Sequence, residues 1–150
     1  MDNRFETFTI QISKITRNIR RIKTEEVTEF DLKSPHVSCL YYLFKNVDGL
    51  TAKELCDMCL EDKASISRSL EYLEEIGYIS CASTAEKRYK SPLFLTDKGQ
   101  KVASVISQKI DNVLSVASLG LSDADREIFY KSLILISDNL QKICDEYKNK

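Results

Sequence analysis

The chain has 150 residues, 43% of them hydrophobic and 30% charged, with a net charge of −1 and a pI of about 5.9. That length fits one domain with its own core, and the composition excludes a disordered chain. The near-neutral balance excludes a protein that coats nucleic acid non-specifically, yet specific binding needs only a local basic footprint.

No apolar run approaches a membrane span, and Met1-Asp2-Asn3-Arg4 carries no signal-peptide pattern, so the expectation is a cytoplasmic protein with no membrane partner. Five cysteines are an odd count for a disulfide framework and read as free thiols in a reducing compartment. The inventory speaks against an enzyme: one histidine, no nucleophile and base at recognisable spacing, no HExxH-like metal set, and no glycines close enough to cradle a phosphate. No cofactor or metal is expected.

A first helix is predicted over residues 4–23. Phe5, Phe8, Ile12, Ile15, Ile19 and Ile22 step by three and four, a heptad stripe that suits packing on the same domain or on a second copy. Arg17, Arg20, Arg21 and Lys23 complement the helix dipole at its C-terminal end and read as a solvated cluster. Ser34 is the expected N-cap of a second helix with Pro35 at its first position, and Val37, Leu40, Tyr41 and Phe44 give it a buried face. His36 reads as a surface residue with no ligand role. Asp48-Gly49 turns the chain. Thr51 and Glu54 then form a capping box that opens a short third helix, containing Leu55, Met58 and Cys59 and closing near Leu60.

The fourth helix runs from an Asp62 N-cap to Gly77. Ile66, Leu70 and Leu73 share its inner face, while Ala64, Ser65, Ser67, Arg68, Glu71 and Glu75 fall outside. Small, hydroxyl and basic residues fill the first two outer turns, and the acids come later. A groove-reading helix has this layout, and so does a solvated surface helix. Its neighbours complete a helix-turn-helix pattern. Tyr78–Cys81 and Leu93–Leu95 read as paired strands around a long polar loop where Lys87, Arg88 and Lys90 cluster, which is what a wing would be. Thr96 caps a fifth helix with Val102, Ile106, Ile110, Val113 and Ala117 on one face. Ser122 and Asp125 cap a sixth, whose Phe129, Leu133, Ile136, Leu140, Ile143 and Tyr147 form a second heptad seam.

The run L-T-A-K-E-L-C from Leu50, the helix D-K-A-S-I-S-R-S-L-E-Y-L-E-E-I-G-Y-I from Asp62, the Glu86-Lys87-Arg88 triplet and L-T-D-K-G ending at Gly99 together resemble the MarR family of winged-helix transcription regulators. The similarity is strongest over residues 50–99, and the helical flanks are compatible with it. It implies a mainly α fold with a small β-hairpin wing: one domain, 1–150, with dimerisation helices in 1–33 and 100–150 around a winged helix-turn-helix core in 34–99. It also implies an obligate homodimer, joined here through Phe5, Phe8, Ile12, Ile15 and Ile19 at one end and Phe129, Leu133, Ile136, Leu140 and Ile143 at the other. The fourth helix would enter the major groove of double-stranded DNA, and the wing would touch the minor groove. The family's usual Asp-x-Arg wing element reads Glu86-Lys87-Arg88 here, which keeps the arginine.

On that reading Ser65, Ser67 and Arg68 face bases, Ala64 meets a thymine methyl, Lys63 holds phosphate, and Thr51 and Lys53 contact the backbone. Lys87, Arg88 and Lys90 supply the wing. A two-fold dimer implies a pseudo-palindromic operator with half-sites about 34 Å apart or a multiple of it. The function expected is a ligand- or stress-responsive repressor, with a small amphipathic or phenolic effector as a second partner and Tyr41, Tyr42 and Phe44 as candidate lining. Two alternatives stay open. Cys56 and Cys59 form a CxxC that admits a thiol-redox sensor of the same fold, although a small core Cys59 and a partly exposed free Cys56 is the favoured reading of the spacing. A winged helix that binds protein and never DNA is the other.

Overall fold

The computed structural model describes residues 4–82 and 90–149. Among them run α1 (Arg4–Glu25), α2 (Ser34–Lys45), α3 (Ala52–Cys59), α4 (Lys63–Glu75), β1 (Ile79–Cys81), β2 (Leu93–Leu95), α5 (Asp97–Ala117) and α6 (Asp123–Lys148). The chain forms two compact units, Met1–Asp111 and Asn112–Lys150. The order of elements is the one the sequence predicts.

In the first unit α2, α3, α4 and the hairpin enclose the core. Leu40, Leu55, Ile66, Leu73, Leu93 and Ile106 are its largest fully buried side chains. Each such residue stabilises the fold by about 1.5–3 kcal/mol relative to exposure. The predicted faces of α2 and α4 both point inward, with Val37 and Leu40 from one and Ile66, Leu70 and Leu73 from the other. Cys39 and Leu43 join them, while Tyr41 and Phe44 are only half-buried.

Between α1 and α2 the sequence carries no periodic signal, yet this stretch is part of the core. Val27 and Leu32 are buried around a 3-10 turn at Thr28–Phe30. Lys109 of α5 reaches Glu26 and Glu29 at 3.6 and 3.3 Å. Three expectations change here. The N-cap of α2 is Lys33, not Ser34: its backbone is extended, and its N–H donates to His36 Nδ1 at 3.0 Å, so an imidazole closes the first turn where a serine hydroxyl was expected. His36 is therefore half-buried rather than a plain surface residue. Lys23 is not a solvated end either, because its ammonium donates to Ser38 Oγ of α2 at 3.0 Å.

The hairpin is antiparallel, pairing Ile79 with Leu95, Ser80 with Phe94 and Cys81 with Leu93. Leu50 adds a one-residue third strand: its N–H donates to the Leu93 carbonyl at 3.2 Å, and its carbonyl accepts the Leu93 N–H at 2.8 Å. The start of α3 is thus fastened to the wing. Gly49 makes this approach feasible. It sits at φ 84, and a Cβ there would press on the Phe94 ring and the Leu93 carbonyl.

In the second unit the end of α5 leads through Gly120 (φ 90) to α6. Ser122 caps α6 as predicted, accepting from Asp125 N–H at 3.1 Å and donating to its carboxylate at 2.6 Å. No residue of α6 is buried.

Candidate nucleic-acid interface

Helix α3 starts as the sequence predicts. Thr51 Oγ1 accepts from Glu54 N–H at 3.2 Å, and Glu54 Oε2 accepts from Thr51 N–H at 2.7 Å. The Thr51 hydroxyl also donates to that carboxylate, so its first role is structural. Lys53 stands exposed one residue into the helix. Leu60 ends α3 in the left-handed conformation at φ 52, with its side chain 91% exposed. This placement costs a non-glycine residue about 1–2 kcal/mol and produces the sharp turn to α4.

Asp62 caps α4, its carboxylate accepting from Ser65 N–H at 2.7 Å. No acid lies in the first turn of α4. The exposed strip is Lys63, Ala64, Ser67, Arg68, Glu71 and Glu75, whereas Ser65 is half-buried beside it. The helix thus offers solvent a positive first half and a negative second half. The helix dipole reinforces the positive end, against which the exposed Asp62 carboxylate sits as the cap. Such an end attracts phosphate, and Arg68 has the length and the paired donors for a guanine edge. Glu71 and Glu75 repel phosphate and set a limit to insertion.

Two ties hold α4 in place that the sequence did not reveal. Tyr72 Oη donates to the Asp31 carbonyl at 2.8 Å, across 41 residues of sequence. Lys98 Nζ donates to the Ile76 carbonyl at 2.9 Å and lies over the Tyr78 ring at 5.2 Å. Both residues stand in runs that carry the family resemblance, but neither run shows these partners, and only the folded chain brings them together.

Lys90 is exposed next to β2. Lys87 and Arg88, with Glu86, lie outside the described residues. The apolar seams are open to solvent. On α1, Phe5, Ile15 and Ile19 are exposed and Phe8 and Ile12 half-buried. On α6, Phe129, Ile136, Leu140 and Ile143 are exposed and Leu133 half-buried. Among the candidate effector residues, the Tyr41 and Tyr42 rings meet edge to face at 5.4 Å, with the Lys45 ammonium 5.5 Å from the Tyr41 ring and 5.9 Å from the Phe44 ring.

All five cysteines are free. The thiol that engages Cys59 is Cys39 of α2, in a hydrogen bond between the two helices. That bond, with burial, pushes the Cys39 thiol far up. It draws Cys59 down, with burial opposing and Lys23 assisting. Burial pushes Cys56 up. The thiol that shifts Cys59 most is thus Cys39, not its CxxC neighbour Cys56.

No protein-family model matches the chain. The HTH-type transcriptional regulator YybA of Bacillus subtilis (strain 168), itself uncharacterized, is 24% identical over 132 residues, covering 88% of this chain and 87% of the relative. The crystal structure of a MarR transcriptional regulator from Methanosarcina mazei Go1 superposes with a TM-score of 0.78 at 22% identity, covering 92% of each chain. A MarR-family regulator from Listeria monocytogenes, solved with a 26mer DNA, gives a TM-score of 0.75 at 24% identity over 88% of this chain and 87% of that one. The resemblance read from the residues and the likeness of the coordinates thus agree: the chain has the winged-helix fold of the MarR family of transcription regulators.

Proposed function

We propose that this chain is a homodimeric transcription regulator that binds double-stranded DNA at a pseudo-palindromic operator and acts as a repressor released by a ligand or stress signal. The observation that carries the reading is the outer strip of α4. Its capped N-terminal half offers only small, hydroxyl and basic side chains, and its carboxylates begin at Glu71. The Listeria relative solved on DNA supports the same use of the fold. Ser67 and Arg68 read bases with Ser65 at their flank, Ala64 meets a thymine methyl, and Lys63 and Lys53 hold phosphate. Lys87, Arg88 and Lys90 serve as the wing's cations.

The exposed seams support homodimerisation. Soluble chains seldom leave large contiguous apolar faces uncovered, and a second copy covering α1 and α6 presents α4 twice. Tyr41, Tyr42 and Phe44 are the candidate lining for an amphipathic effector. The thiol-responsive form of this reading has one observation in its favour, the Cys39–Cys59 contact between α2 and α3.

Selection of bound sequences from a random duplex pool tests the function. Enrichment of a two-fold-related motif is expected, with half-sites about one helical turn apart or a multiple of it. No enrichment, with the purified protein folded, would leave the protein-interaction reading in its place.

A further inference from the structure

Tyr72 of α4 is held from two sides. Its hydroxyl donates to the Asp31 carbonyl at 2.8 Å and lies 3.4 Å from the Asp31 carboxylate. Its ring stacks on the His36 imidazole, with centroids 4.6 Å apart and planes 18° from parallel. His36 in turn accepts the Lys33 N–H through Nδ1 at 3.0 Å. Asp31 is itself in the left-handed conformation, at φ 54, where the chain turns between the 3-10 turn and α2. One imidazole therefore closes the first turn of α2 and also backs the tyrosine that ties α4 to the Asp31 turn.

This arrangement requires a bare Nδ1. A protonated imidazole has donors on both nitrogens, so Nδ1 would face the Lys33 N–H donor to donor. The Lys33 ammonium disfavours the new charge and the Asp31 carboxylate favours it. Tyr72 contributes an uncharged ring, with Glu75 and Tyr78 as the further ionisable groups around that tyrosine. Burial and Lys33 prevail over Asp31 and hold His36 below its ordinary value of 6.5.

We propose that the His36–Tyr72–Asp31 array is a proton-sensitive mooring for α4: a proton taken up on His36 Nδ1 breaks the Lys33 bond, disturbs the stack on Tyr72 and frees the reading helix from the Asp31 turn. The consequence for DNA rests on α4 being the reading helix; the mooring itself does not. The folded chain takes up this proton at lower pH than the unfolded chain. His36 therefore withdraws stability as pH falls below the unfolded value of about 6.5, and the array opens as pH passes the folded value.

His36 is the sole histidine, so its ring resonances are unambiguous in an NMR titration. Its midpoint is expected below that of an unfolded histidine. Amide exchange of α4, corrected for intrinsic rates, should lose protection several-fold across that midpoint. In His36→Gln, which retains a neutral acceptor, the protection should stay level. DNA affinity of the wild type should fall about tenfold more than that of His36→Gln between about pH 7.5 and 5.5. If His36→Gln does not fold, the wild-type titration and exchange still decide. A midpoint at or above the unfolded value, or α4 protection unchanged across it, overturns the mooring. Pool selection that enriches nothing, with α4 protection still following His36, overturns the DNA reading alone.

Discussion

The Thr96 hydroxyl donates to the Gly77 carbonyl at 2.6 Å and accepts the Gly99 N–H at 3.0 Å. One side chain thus joins the exit of α4, where Gly77 adopts φ 81, to the entry of α5. The contact is close because Gly99 lies against the Tyr78 carbonyl, where a Cβ would overlap backbone atoms. Gly99→Ala should therefore destabilise by about 1–3 kcal/mol despite alanine's better helix propensity, because backbone cannot yield as a flexible side chain does. Thr96→Val should cost about 1 kcal/mol through the lost cap. Urea unfolding followed by circular dichroism measures both. A Gly99→Ala midpoint at or above the wild-type value would contradict the packing.

The dimer proposal predicts a change of assembly. Leu140→Glu places a charge in the α6 seam and Ile19→Glu one in the α1 seam, both positions being exposed in the single chain. Each should weaken self-association by at least about tenfold, or 1.4 kcal/mol, while the monomer keeps its helical signal. Sedimentation equilibrium reads the result. Wild-type association in both variants would show that something other than these seams joins the copies.

The cysteines should separate by accessibility. Cys144 is exposed, Cys56 half-buried and Cys39 fully buried with its thiol pushed up. Alkylation at about pH 8 should reach exposed Cys144 first in the native chain, the half-buried Cys56, Cys59 and Cys81 more slowly, and Cys39 only after unfolding, because access and the thiolate form together set the rate. If a hydroperoxide oxidises the core thiols, Cys39 and Cys59 are the pair to join. Both lose their thiol hydrogens to one disulfide while the peroxide is reduced to alcohol and water. Peptide mapping of the oxidised chain distinguishes that link from Cys56–Cys59, and finding the latter would contradict the pairing.

What the sequence made legible is local. The Thr51–Glu54 box and the Asp62 and Ser122 caps involve partners three residues apart, and the stripes of α1, α4 and α6 repeat within a few turns. The hidden relationships are those between distant partners. Leu50 pairs with Leu93, Tyr72 with Asp31, Lys23 with Ser38 and Cys39 with Cys59, and no local pattern names the partner in any of these pairs. His36 escapes the sequence because a histidine closing a helix turn looks like any polar residue near a helix start. For the interface, residue type and spacing already placed Arg68 on the outer face of α4. What they did not show is how α4 is fixed, from Asp31 at one point and Lys98 at another.

The central claim is that the first two turns of α4 read bases. The direct measurement is competitive binding of wild type and Arg68→Ala to the selected operator and to its single-base variants. Arg68→Ala should lose about 1–3 kcal/mol on the native operator and lose discrimination at one base pair in each half-site. Arg88→Ala, by comparison, should weaken all sequences evenly and flatten the salt dependence. Native affinity and unchanged base preference in Arg68→Ala would contradict the account.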